Sequence, residues 1–110
     1  MAIVSNLTVD QGSTFTANID CTALDGNILN LTGFTVAAQL RKTYDSSTKT
    51  DFTATIANAL TGRLTISLTA AQTNALAAGR YVYDVEITSG AGVVTRVVEG
   101  QVEITPGVTR

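Results

Sequence analysis

Apolar and polar residues alternate with a period of two along most of the chain. The alternation is strictest in Thr14-Phe15-Thr16-Ala17-Asn18-Ile19-Asp20-Cys21, where odd positions are apolar and even positions polar. That period sends successive side chains to opposite faces of an extended backbone, so it predicts a half-buried strand. The pattern recurs at residues 34–41, 52–56 and 63–68, and two longer strands follow at 80–88 and 93–105. With a first strand near residues 3–9 the count is about seven, the number expected of a β-sandwich. Turn formers separate them: Asp10-Gln11-Gly12-Ser13, Asp25-Gly26-Asn27, the long polar stretch 43–51, then 58–62 and 89–92. No alternation of strands with helices is visible.

One helix is predicted, over Thr69-Ala70-Ala71-Gln72-Thr73-Asn74-Ala75-Leu76. It opens with a Thr-x-x-Gln capping box, in which the Thr69 hydroxyl accepts from the Gln72 N–H while Gln72 reaches back, and it closes before Gly79. The next residues, Gly79-Arg80-Tyr81-Val82-Tyr83, have the spacing of the corner through which an immunoglobulin-like E–F connection enters strand F. On that reading Tyr81 bonds through its hydroxyl to upstream backbone, and Tyr83 fills the position of the second disulfide cysteine. The alternative is that both are ordinary inward-facing strand residues. The fold expected is therefore all-β: an immunoglobulin-like sandwich with one short helix in the E–F connection.

The last two strands allow a register argument. A three-residue loop, Gly90-Ala91-Gly92, sets Ser89 opposite Val93, and it puts the pairs Glu86 opposite Arg96 and Asp84 opposite Val98 together on one face. Tyr83, Val85 and Ile87 then point inward with Val93 and Val97. A two- or four-residue loop would place Arg96 beside Val85 on the core face, where an unpaired charge is strongly disfavoured. Val102 and Ile104 have the wrong parity to stay inward unless one residue is inserted, and Glu99-Gly100 is the expected bulge. Val82, Val94 and Val98 are left on the outer face among Asp84, Glu86 and Arg96, a mixture that resembles both interface and ordinary surface.

Composition narrows the function. The 110 residues suit one domain spanning 1–110, and 45% hydrophobic against 15% charged content is enough apolar area to fold. A formal charge of -2 disfavours nucleic acid and anionic membrane as partners. No apolar run is long enough to span a bilayer, and the start lacks the features of a secretory leader, so use without export is expected. Cys21 is the one cysteine, so no intrachain disulfide forms; its parity with Ala17 and Ile19 predicts a buried, inert thiol.

The chain has no histidine, which removes Ser-His and Cys-His activation and the commonest metal ligand. The nine carboxylates never fall into a calcium-loop spacing, and Asp84 and Glu86 read as solvated or paired with Arg96. Asn6-Leu7-Thr8 and Asn30-Leu31-Thr32 match the glycosylation tripeptide by chance, with no export signal to make use of them. Sparse aromatics, with no tryptophan, argue against a sugar-stacking platform. A non-enzymatic chain without metal or cofactor is expected.

The segments Leu68-Thr69-Ala70-Ala71-Gln72, Gly79-Arg80-Tyr81-Val82-Tyr83-Asp84-Val85-Glu86 and Val94-Thr95-Arg96-Val97-Val98-Glu99-Gly100 resemble small phage and prophage structural proteins. They also resemble the N-terminal Ig-like domain of phage baseplate upper proteins. In that family a strand like Leu31-Thr32-Gly33-Phe34-Thr35-Val36 precedes a variable loop, a Gly-Arg-Leu-like strand, a Gly-x-Tyr strand and a Gly-bearing final strand, and the order matches here over most of the chain. The family has a long receptor-facing extension after this domain, where this sequence reaches Arg110, so the position in a particle stays open: tail or baseplate adaptor, neck, or capsid decoration. The resemblance implies a virion structural protein, made in the bacterial host cytoplasm, whose partners are other virion proteins or further copies of itself. It brings no catalytic residues. The expected interface is Ile3, Val4, Val82, Val94, Arg96, Val98, Val108 and Arg110, with the two termini as arms and Pro106 ending the last strand. A carbohydrate- or receptor-binding module is the alternative.

Overall fold

The computed structural model describes residues 3–21 and 27–108, with Ile3 described by its backbone alone. In chain order the strands are β1 (Ile3–Val4), β2 (Leu7–Asp10), β3 (Phe15–Asp20), β4 (Thr35–Arg41), β5 (Thr50–Asp51), β6 (Thr53–Asn58) and β7 (Arg63–Leu68). Helix α1 (Ala70–Ala75) follows, then β8 (Gly79–Thr88) and β9 (Val94–Thr105). They form two sheets. One is ordered β1-β9-β8-β4-β5, with β2 also on β9; the other is β3-β7-β6. β1 and β2 run parallel to β9, and every other pairing is antiparallel. This is the expected immunoglobulin-like sandwich, with α1 in the E–F connection.

Two strands exceed the seven predicted. The first predicted strand is split at Ser5-Asn6, and Thr50–Asp51 makes a short extra pairing on β4 before the chain changes sheets. Phe52 marks that crossing. Its N–H donates to the Ala38 carbonyl at 3.0 Å, and its ring is buried against Tyr83, with centroids 6.1 Å apart. Of the predicted Asp25-Gly26-Asn27 turn, only Asn27 lies within the described residues.

The period-two reading places the core correctly on most strands. Leu64, Ile66 and Leu68 of β7 face Tyr81, Tyr83, Val85 and Ile87 of β8, all at most 8% exposed. The local motifs also form as read. Thr69 caps α1 with both bonds of the capping box, and the Tyr81 hydroxyl donates to the Ala77 carbonyl at 2.9 Å. Thr73, a polar residue of α1, is fully buried: its hydroxyl bonds Ser13 O at 2.8 Å and accepts from the Gly12 N–H at 3.0 Å. The helix is thus pinned to the β2–β3 turn.

The hairpin register needs a correction. The three-residue loop forms, with the Ser89 N–H bonding Val93 O at 2.9 Å, and Glu86 faces Arg96 as expected. The bulge, however, falls at Val97, between Glu86↔Arg96 and Val85↔Val98, and not at Glu99-Gly100. Asp84 therefore faces Glu99, and Val98 turns inward to 4% exposure. Gly100 has a different purpose: a Cβ there would collide with the Ser5 carbonyl, so the split between β1 and β2 lies directly over it. Val93 is 61% exposed although its parity is inward, because the hairpin tip extends past the cover of the second sheet.

Candidate functional site

With β8 alternating buried and half-buried residues, Val82, Asp84 and Glu86 stand on the outer face of the larger sheet. Their cross-strand neighbours are fixed by register: Arg41 opposite Val82, Gln39 opposite Asp84, Arg96 opposite Glu86. The displaced bulge sets two carboxylates, Asp84 and Glu99, directly opposite each other. Like charges so placed repel. Arg96 lies between them, with Nε 3.2 Å from Asp84 Oδ2 and Nη1 3.1 Å from Glu99 Oε2. The Glu99 hydrogen bond first, and the Asp84 charge second, hold the Arg96 guanidinium more firmly protonated than usual.

Arg41 shapes the other wall. Its Nη1 donates to the Ser46 carbonyl at 2.6 Å and Nη2 to Gln39 Oε1 at 3.3 Å, which folds the loop after β4 back toward the sheet. Tyr44, in that loop, is 83% exposed. Gln39, Arg41, Tyr44, Val82, Asp84 and Arg96 line an open cleft of about 260 Å³. Strand parity places Gln39 and Arg41 on this face. Tyr44 was not expected here, and its only signal in the sequence is an aromatic residue inside a polar loop.

The predicted interface residues do not form one patch. Val82 and Arg96 line the cleft. Val4 is 69% exposed on β1, Val94 57% exposed at the hairpin tip, and Val108 96% exposed beyond β9. Ile3 pairs with Val98 along the β1–β9 ladder. Val98 itself is a core residue: the bulge at Val97 reverses its parity and withdraws it from any contact surface. Arg110 lies outside the described residues. Pro106 follows the end of β9 directly, since it has no N–H to continue the ladder.

Cys21 is buried, and burial raises its thiol pKa above the ordinary value, with Asp20 adding to the effect. Both tripeptide asparagines serve the backbone. Asn6 Oδ1 accepts from the Gln101 N–H at 3.0 Å, and Asn30 Oδ1 accepts from the Thr32 N–H and hydroxyl. No group of three or more His, Cys, Asp or Glu among the described residues is arranged to hold a metal ion. No described helix is long and apolar enough to cross a membrane.

No protein-family model and no curated protein matches the chain. Among solved structures, the internalin-like protein lmo2027 of Listeria monocytogenes is similar, with a TM-score of 0.45 and 18% identity. The match covers 96% of this chain and 28% of that one, so the chain spans little more than a quarter of that protein's length. A likeness at this level bears on neither activity nor partner.

Proposed function

We propose that the chain is a non-enzymatic docking module, and specifically a bacteriophage virion structural protein serving as tail or baseplate adaptor, neck component or capsid decoration. The observation that supports docking is the placement of exposed apolar side chains. Seven large hydrophobic residues are exposed among those described, and four of them, Val4, Val93, Val94 and Val108, sit on or beside the paired terminal strands β1 and β9. Exposed apolar side chains spread along these strands offer a protein partner separate apolar anchor points. The virion assignment rests on the sequence resemblance. It implies assembly in the host cytoplasm, other virion proteins as partners, and no role for cofactor, nucleic acid or membrane.

Mass spectrometry of purified particles tests this reading. The chain should be present at a fixed stoichiometry, and Val94→Asp with Val108→Asp should reduce its incorporation while leaving it folded. Absence from particles of a phage that encodes it overturns the assignment.

A second reading, a carbohydrate- or receptor-binding module, is favoured by the cleft. An exposed tyrosine beside Gln39, Arg41, Asp84 and Arg96 offers a ring for stacking and planar polar groups for hydroxyls. Saturable glycan-array binding abolished by Tyr44→Ala would establish it in place of the first.

A further inference from the structure

We infer that β3 is a dimerisation edge, along which a second copy of the chain adds its own β3 antiparallel to form one continuous sheet ordered β6-β7-β3-β3′-β7′-β6′. β3 borders the smaller sheet and pairs with β7 in an unbroken register from Phe15↔Leu68 to Asp20↔Arg63. The Cys21 N–H donates to Gly62 O at 2.8 Å, so Cys21 is one of the positions whose N–H points toward β7. By antiparallel alternation Ile19, Ala17 and Phe15 also bond toward β7, and the N–H and C=O groups of Thr16, Asn18 and Asp20 point the other way. No strand among the described residues meets them.

The other sheet edges are blunted by devices that β3 lacks. The β1–β2 edge is broken at Ser5-Asn6, β5 is two residues long with the Lys49–Asp51 ion pair beside it, and β6 has an irregular register between Ile56 and Asn58. β3 has no proline, lysine, glycine or bulge. Its longer polar side chains also leave the edge clear by reaching back to β7. Asn18 Oδ1 accepts from the Thr65 hydroxyl at 3.0 Å, and Asp20 Oδ1 accepts from Arg63 Nε at 2.9 Å.

The inner side of the edge is incompletely covered. Phe15, Ala17 and Ile19 face the core yet remain half-buried, whereas Leu64, Ile66 and Leu68 beside them are at most 1% exposed. An open cleft of about 210 Å³ runs there, between Ala17 and Ile19 on one wall and Leu7 and Val98 on the other.

Self-complementarity identifies the occupant. A two-fold axis at Asn18 pairs Thr16 with Asp20′, Asn18 with Asn18′ and Asp20 with Thr16′, with two main-chain bonds for each of these pairs. On the inner side Ala17 meets Ile19′. The strand's one charge faces a threonine hydroxyl and never its own copy, so no like charges oppose each other. Shifting the register to set Asp20 against Asp20′ loses that match.

Analytical ultracentrifugation of the whole chain tests the inference, together with amide exchange. The wild type should form a dimer in which the Thr16, Asn18 and Asp20 amides exchange more slowly as concentration rises. Asn18→Lys, which puts a cation opposite its symmetry mate, should weaken dimerisation about tenfold or more. Thr16→Lys should preserve or tighten it, because that position faces Asp20′. Circular dichroism and melting of each variant confirm folding. A wild type that stays monomeric at submillimolar concentration, a dimer indifferent to Asn18→Lys, or a dimer that leaves those amides unprotected overturns it.

Discussion

The Tyr83 hydroxyl donates to the Ser5 carbonyl oxygen at 2.6 Å, joining the centre of β8 to the kink between β1 and β2 across 78 positions of sequence. Burial raises the pKa of this hydroxyl, which keeps it a donor throughout the neutral range. Tyr83→Phe removes the donor and leaves a crowded carbonyl without it, a loss of about 1–3 kcal/mol. In urea unfolding the variant should lose stability, and the Ser5 amide, bonded to Glu99 O, should exchange faster. Tyr44→Phe, at an exposed site, should change neither. Equal behaviour of the two variants would show that the Ser5 bond contributes nothing.

Gly100 lies under the same kink. A Cβ there would strike the Ser5 carbonyl, with Ser5 C only 2.8 Å away, and both are backbone atoms that cannot swing aside. Gly100→Ala should therefore cost about 1–3 kcal/mol or more through displacement of β1 from β9. Gly33, whose Cβ would meet nothing within 4 Å, carries only the backbone penalty of its positive φ. Thermal melts of Gly100→Ala and Gly33→Ala should separate them, and a Gly100→Ala protein as stable as wild type would contradict the close approach.

These two contacts explain which parts of the fold were legible in the sequence. Parity on β3, β4, β7 and β8 follows from a regular backbone with one buried face, so alternation alone sorts Ile66 from Thr65. The capping box and the Tyr81 corner join residues no more than four positions apart and read equally well. The bulge does not. Parity demands one inserted residue between Arg96 and Val102, and both Val97 and Gly100 satisfy it; the glycine at 100 answers instead to the Ser5 backbone over it, a neighbour remote in sequence. Val93 shows the same limit, since parity gives its face and not whether another sheet reaches it. Thr73 is buried because the Gly12-Ser13 turn lies against it. In the cleft, Val82 and Arg96 followed from strand parity, whereas Tyr44 depends on the Arg41 to Ser46 bond that folds its loop.

The Arg96 bridge gives a salt-dependent prediction. In Arg96→Gln, Asp84 and Glu99 face each other with no cation between them. Stability should fall at low ionic strength and recover as added salt screens the repulsion, and Arg96→Gln combined with Glu99→Gln should be insensitive to salt. The effect will be small, because all three side chains are more than a third exposed. Urea midpoints at low and high salt check it; identical salt dependence in the wild type and the single variant would mean that the carboxylates do not interact.

Asp20 sets the acid response of the β3 border. The hydrogen bond from Arg63 chiefly lowers its pKa below the ordinary 3.8, against a smaller opposing effect of burial. A carboxyl depressed in the folded state binds its proton more readily once unfolded. The stabilisation is therefore present above pH 3.8 and is lost as pH falls through the lower folded value. Asp20→Asn should remove that part of the acid loss, so its stability at neutral pH falls toward that of the wild type in acid while its pH profile below 4 flattens. Denaturant titrations across that range decide the matter. The pair is exposed and salt weakens it, so the flattening should shrink at high ionic strength. If the wild type and Asp20→Asn lose stability in parallel below pH 4, the acid sensitivity lies with other carboxylates and the Arg63 contact is not maintained in solution.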